Sequence, residues 1–115
     1  MLCFTLIISS GSLAGKAWSL IVSFRSRGTE DIFDGVGSKA ARKCLPSILH
    51  SRAGRTLDQL GAAVSLRSLS LPGLRLERLR GNRAGQHSIR VNEQYRVCFQ
   101  WTAAGAEDVE IVDYH

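Results

Sequence analysis

Residues 75–101 read "RLERLRGNRAGQHSIRVNEQYRVCFQW", and the later half of this stretch alternates apolar with polar side chains. In an extended chain Ile89 and Val91 fall on one side and Ser88 and Arg90 on the other, while Val97 and Phe99 likewise oppose Arg96 and Cys98. A period of two predicts strands with one face in a core, and Asn92-Glu93 supplies the turn between them. The run "DVEIVDY" (Asp108 to Tyr114) follows a second turn at Ala104-Gly105, so the last third predicts an antiparallel meander. In its final strand Val109 and Ile111 compete with Glu110 and Val112 for the core, and parity leaves the side taken by Asp113 open. Upstream, "LRLERLRG" loses phase at Leu79, which predicts a short strand or a bulge ending near Arg80.

Earlier in the chain the period lengthens. Ala41, Leu45, Ile48, Leu49, Ala53, Leu57 and Leu60 recur at three-to-four spacing, the signature of one helical face. Proline is tolerated in a first helical turn but not inside a helix, so Pro46 places the main helix at about 46–60 and separates a short turn or helix over 39–44. Thr29 followed by "EDIFD" predicts an earlier helix start with acids in its first turn, ended by Gly35 and Gly37. "IVSF" (Ile21 to Phe24) suits a short strand. The fold class is therefore α+β: an N-terminal strand and two or three helices packed on a small, twisted antiparallel sheet.

A chain of 115 residues makes one small domain, and 44% apolar residues with mean hydropathy near zero exclude a disordered or membrane-spanning chain. The first twenty residues stand apart. Leu2 to Ile8 mimics the apolar core of a secretory signal, but it lacks a basic leader and is too short to span a bilayer. Residues 1–20 are expected to be an extension outside the native fold, with Leu20 as the natural start and residues 21–115 as the domain. Mass spectrometry of the natural protein's N-terminus checks this. Cys3, Cys44 and Cys98 lack metal-ligand spacing and read as free thiols of a cytoplasmic protein. His50, His87 and His115 are scattered, so neither metal nor cofactor is expected.

The charge is uneven. Lys and Arg total 15 against 10 Asp and Glu, for a net +5. Arg75, Arg78, Arg80, Arg83, Arg90 and Arg96 crowd one region opposed by Glu77 and Glu93 alone. On paired strands several of these share a face, which makes either a positive concavity for a phosphate backbone or a solvated sheet face. Parity puts Arg90 and Arg96 on the open side. The chain ends on Asp113, Tyr114 and His115. Cleaving RNA with its own 2′-hydroxyl needs a proton acceptor, a proton donor for the leaving 5′-oxygen, and positive charge on the pentavalent phosphate. Tyr114, His115 and the arginines offer all three, and the α-carboxylate beside His115 favours its imidazolium form and hence the acid role. The alternative for the same residues is a frayed tail.

The segment from Arg75 to Trp101, followed by "VEIVDYH", closely resembles the HigB toxins of bacterial toxin–antitoxin pairs, a branch of the RelE/ParE superfamily, and above all its GraT-like members. The resemblance runs from Ile21 to His115. It implies a RelE-like fold and a ribosome-dependent, metal-independent endoribonuclease that cuts translated mRNA in the ribosomal A site and leaves a cyclic phosphate upstream. It further implies neutralisation by a HigA-like helix-turn-helix antitoxin, which alone contacts operator DNA, and no membrane partner. Carried over by position, the catalytic group falls on Asp113, Tyr114 and His115, and the basic RNA contacts on Arg80, Arg83 and Arg96. Arg75 and Arg90 join them from the charge pattern. One position departs from the family: Glu77 stands where the best-studied type of HigB has an active-site histidine. Glu77 either serves as general base beside the phosphate or pairs with Arg75 or Arg96, and His87 is a substitute base and RNA contact. Because the superfamily fold hosts more than one activity, a ParE-like gyrase inhibitor and a non-catalytic partner of antitoxin and DNA are the rival readings.

Overall fold

The computed structural model describes residues 18–114. Residues 1–17 of the expected extension, and His115 of the terminal trio, lie outside the described residues. Three helices, α1 (Arg27–Phe33), α2 (Lys39–Cys44) and α3 (His50–Ala62), precede four strands, β1 (Glu77–Arg78), β2 (Gln86–Arg90), β3 (Tyr95–Thr102) and β4 (Gly105–Asp113). The strands form one antiparallel sheet in sequence order, the expected meander. The α+β class holds.

α1 and α2 each start where a serine side chain can satisfy a free N–H of the first turn, whereas α3 continues from a 3-10 turn with no side-chain cap. Ser26, not Thr29, caps α1, its Oγ accepting from Thr29 N at 3.2 Å. Thr29 is instead a fully buried residue of the first turn, and its Oγ1 accepts from the backbone N–H of Ile111 on β4 at 3.0 Å. Ser38 caps α2 by accepting from Ala41 N and donates to Asp31 Oδ2 on α1 at 2.6 Å, so one hydroxyl starts a helix and ties two together. Gly28 permits that approach. A Cβ there would stand 2.5 Å from Ala40 O and 2.7 Å from Cys44 Cβ. The break at Pro46 is present, but the main helix does not begin there: a 3-10 turn over Ser47–Leu49 intervenes, and α3 starts at His50 and buries Ala53, Leu57 and Leu60. Two further 3-10 turns, Leu66–Leu69 and Pro72–Leu74, make the connector to the sheet.

The core lies between α1 to α3 and one sheet face. Ile89, Val97, Phe99 and Val109 are fully buried there with Leu45, Leu57 and Leu60 from the helices, and Ile111 joins them, which decides the competition in β4 for Val109 and Ile111. "IVSF" does not form a regular strand. It runs parallel to β4, bridging at Ile21 to Ala106 and at Phe24 to Val109. Its reach is limited by a bulge in β4, where the register slips between Cys98 and Gln100 and Asp108 takes φ +51°. The N-terminal segment nevertheless covers the outer edge of β4: Val22 N donates to Ala106 O, Val109 N to Ser23 O, and Asp108 N to Ser23 Oγ. That covering leaves less of the edge open to pair with another chain. Residues just before it also make contacts, since Leu20 N donates to Gly61 O at 2.8 Å and Trp18 meets Phe33 edge-on at 6.4 Å.

Candidate functional site

The sheet face away from the core carries polar side chains in register. Arg90 lies directly opposite Arg96, Ser88 opposite Cys98, Cys98 opposite Glu110, and Glu77 opposite Ser88. The tight end of the β2–β3 hairpin makes the first of these pairings. Asn92 Oδ1 accepts from Gln94 N at 2.9 Å and from Tyr95 N at 2.7 Å, closing the turn so that Arg90 and Arg96 stand side by side. Like charges set opposite each other repel, so the strands hold these two together at a cost.

Arg96 is not on an open surface, as alternation alone suggests, but 9% exposed. Its Nε donates to Ser88 Oγ at 2.7 Å and its Nη2 to the carbonyl of Arg75 at 2.5 Å. Arg75 offers that carbonyl because it adopts the left-handed conformation, φ +45°, straight after the turn at Pro72–Leu74 whose Leu74 is buried. Such a conformation costs a non-glycine residue on the order of 1 kcal/mol and persists only where surrounding contacts fix it. From above, the ring of Tyr114 lies over the Arg96 guanidinium, 5.7 Å from centroid to Cζ, held by Tyr114 N donating to Gln94 O at 2.7 Å. Glu77 approaches from β1, with Oε1 3.8 Å from Arg96 Nη2, a long and solvent-exposed pairing.

Together Arg75, Glu77, Arg90, Asn92, Glu93, Arg96 and Tyr114 line an open cleft of about 430 Å³. Five of them, Arg75, Glu77, Arg90, Arg96 and Tyr114, are sequence-predicted site residues from distant parts of the chain. The others are distributed differently. Arg83 stands further along the same face, where its Nη1 donates to Gln86 Oε1 and Glu110 Oε1, both at 3.1 Å, with Arg25 3.8 Å from the same Glu110 oxygen. Arg80 is exposed ahead of the 3-10 turn at Gly81–Arg83. Asp113 pairs across from Tyr95, so alternation turns it to the other side of β4 from Tyr114, where Oδ2 accepts from Gln94 Nε2 at 3.0 Å. His87 is likewise on the far face from Arg96, its ring 6.2 Å from that of Phe99 with Nδ1 buried and unpartnered. Desolvation, and secondarily the Arg78 guanidinium, push its pKa below the ordinary value. The structure therefore does not bring His87 to the cleft. Ser88 and Asn92, which position the arginines, were not singled out from sequence as site residues, although parity places Ser88 beside Arg90.

Chemically, the cleft presents three guanidinium groups of which one is fixed by hydrogen bonds to Ser88 and to the Arg75 carbonyl, a carboxylate at its rim and a phenol above. Fixed forked donors suit an anion with several oxygens. Cys98, buried between Arg83, Arg96 and Glu110, is no nucleophile here: burial pushes its thiol pKa up, more than the two arginines pull it down. No helix among the described residues is long and apolar enough to cross a membrane.

The description "RelE-like toxin of type II toxin-antitoxin system HigB" belongs to a family model that matches residues 22–115. The chain is also 35% identical over 83 residues to Toxin HigB-1 of Vibrio cholerae serotype O1, an alignment covering 71% of this chain and 84% of that one. Since the family match spans nearly all of the described fold and includes every residue of the arginine cleft, the chain belongs to the HigB family of RelE-like toxins from type II toxin–antitoxin systems.

Proposed function

We propose that this chain is a ribosome-dependent endoribonuclease that binds an mRNA phosphate in the Arg75–Arg90–Arg96 cleft, cuts there, and is held inactive by a HigA-like antitoxin. The observation that carries this reading is the clamped guanidinium of Arg96 beneath Tyr114: a donor already desolvated and oriented costs little reorganisation when negative charge builds on a phosphate. The reaction is a transesterification. The 2′-oxygen attacks phosphorus, the bond to the 5′-oxygen breaks, and a 2′,3′-cyclic phosphate and a free 5′-hydroxyl result. Glu77, at the rim and loosely paired, accepts the 2′ proton, and His115, one residue beyond Tyr114, donates to the leaving oxygen. Arg75, Arg90 and Arg96 neutralise the pentavalent phosphate, while Tyr114 orients it against Arg96. Arg80 and Arg83 engage flanking RNA, and Asp113 secures the tail through Gln94. The ribosome supplies the codon in the conformation that sets the 2′-oxygen in line.

Induction of the chain in cells followed by mapping of new mRNA 5′ ends tests this. Breaks within translated codons are expected. His115→Ala should lower cutting by about 10² to 10⁴, the usual worth of a positioned proton-transfer group, and Tyr114→Phe, which removes the hydroxyl that orients the phosphate, by about 10² to 10³, both without loss of antitoxin binding. DNA-damage signalling with intact messages would replace the proposal with gyrase inhibition, and full toxicity of both variants would remove the tail from the chemistry.

A further inference from the structure

A second groove of about 450 Å³ adjoins the cleft and shares Arg90 with it. Its walls are one side of α3, carrying Arg52, Arg55, Thr56 and Gln59, and the turn at Pro72–Leu74, with Arg90 at the junction. Residues 52, 55, 56 and 59 recur at helical spacing, so they stack along one stripe of the helix. Thr56 is anchored, its hydroxyl donating to Arg52 O at 3.2 Å, whereas Arg52, Arg55 and Gln59 are exposed. The balance of charge differs from that of the cleft. Glu77 and Glu93 accompany the arginines there, but no Asp or Glu lines this groove.

We infer that this groove is an extension subsite that binds the sugar-phosphate backbone of single-stranded RNA continuing from the phosphate held at Arg96, with Arg90 as the hinge between the two clefts. The inference rests on the ribonuclease reading for the direction of the strand, and on the shared arginine and the carboxylate-free lining for the site itself. A single strand tracks a positive groove phosphate by phosphate, whatever its sequence. An acidic protein segment would also be drawn to Arg52 and Arg55, but continuity with the cleft through Arg90 favours one polymer crossing both.

The test uses the full-length chain with Arg52→Gln and Arg55→Gln combined, both exposed positions outside the cleft, and a thermal melt to show that α3 is intact. Binding of uncleavable 2′-O-methyl oligouridines of ~3 and ~10 nucleotides is titrated across salt concentrations. Wild type should bind the longer strand more tightly, and the double variant should lose that gain. Each phosphate contact adds about 0.7 to the logarithmic salt slope of a single strand, so removing two flattens the slope by about 1.4, which is about sevenfold in affinity between roughly 50 and 200 mM salt. An unchanged slope and length dependence, or a wild type that gains nothing from the longer strand, overturns the subsite. So does a variant that keeps RNA binding but loses binding to polyglutamate or to the antitoxin, which would assign the groove to a protein. Cleavage is read separately: strand binding with the predicted slope but no cutting in cells leaves the groove and removes the ribonuclease, and cutting with an unchanged slope does the reverse.

Discussion

Ser88 is the residue on which the site's geometry turns. Its hydroxyl accepts from Arg96 Nε at 2.7 Å with both residues buried, and the Arg75 carbonyl takes a second donor of the same guanidinium. Ser88→Ala leaves Arg96 Nε without an acceptor in a place water does not reach. Such a loss costs about 1–3 kcal/mol, and urea unfolding should show it as a lower midpoint at unchanged slope. Because Ser88 is fully buried behind Arg96 and positions it, Ser88→Ala should also weaken the proposed RNA cutting, and restoring the acceptor with Ser88→Thr should recover it. A Thr variant as impaired as the Ala variant would show that packing rather than the hydrogen bond matters. Alternation shows in the sequence that Ser88, Arg90, Arg96 and Cys98 share a face, but it says nothing about depth. The cover over Arg96 comes from the Arg75 carbonyl, 21 residues away in sequence, and from Tyr114, and no local pattern announces a backbone carbonyl turned by a left-handed residue. His87 shows the converse. Its parity with Ile89 already puts it on the core side, away from the cleft where it would have to stand in for the histidine that Glu77 replaces.

Among the elements, those defined by strong punctuation were legible and those defined by tertiary partners were not. Pro46 divides α2 from α3, and the turns at Asn92 and Ala104-Gly105 delimit β3, because each acts through its own backbone chemistry. The start of α1 was misplaced by a few residues because Ser26 and Thr29 are both fair caps. What separates them is Ile111, 82 residues later, whose N–H claims the Thr29 hydroxyl and draws it inward. "IVSF" has the composition of a strand, yet the bulge at Asp108 lets it bridge β4 only at two points. The α1–α2 contact belongs to the same class, since only the packed structure explains Gly28. Gly28→Ala sets a Cβ 2.5 Å from Ala40 O and 2.7 Å from Cys44 Cβ, and a backbone oxygen does not swing aside like the tip of a flexible side chain. Overpacking of this kind costs about 1–3 kcal/mol against the slight gain in helix propensity. A melting temperature equal to or above wild type would mean that the two helices part without penalty.

Across the whole molecule the sheet separates two kinds of energy. Its inner face buries Ile89, Val97, Phe99 and Val109 under the helices, while its outer face holds Arg90 against Arg96 with Arg75 close by. The first offsets the second, so the charged cleft exists because the core can sustain it, and a chain with net charge +5 has little counter-charge to relax it. Removing one of the facing charges should therefore stabilise the free protein while disarming it. Arg90→Gln is expected to raise stability by up to about 1 kcal/mol at low ionic strength, from the loss of a like-charge cross-strand pair. For a domain of this size that is a rise of a few degrees, up to about 8 °C, in melting temperature. The gain should fade as salt rises and screening shortens the reach of the repulsion, and it should vanish when a polyanion occupies the wild-type cleft, because bound phosphate relieves the same repulsion and adds its own binding free energy to the folded state. The measurement is a pair of melting series, wild type and Arg90→Gln, across salt and with oligouridine. If the variant melted lower at every salt concentration, Arg90 would be contributing packing or hydrogen bonding that outweighs the repulsion, and the cleft would have to be held open by something other than the core beneath it.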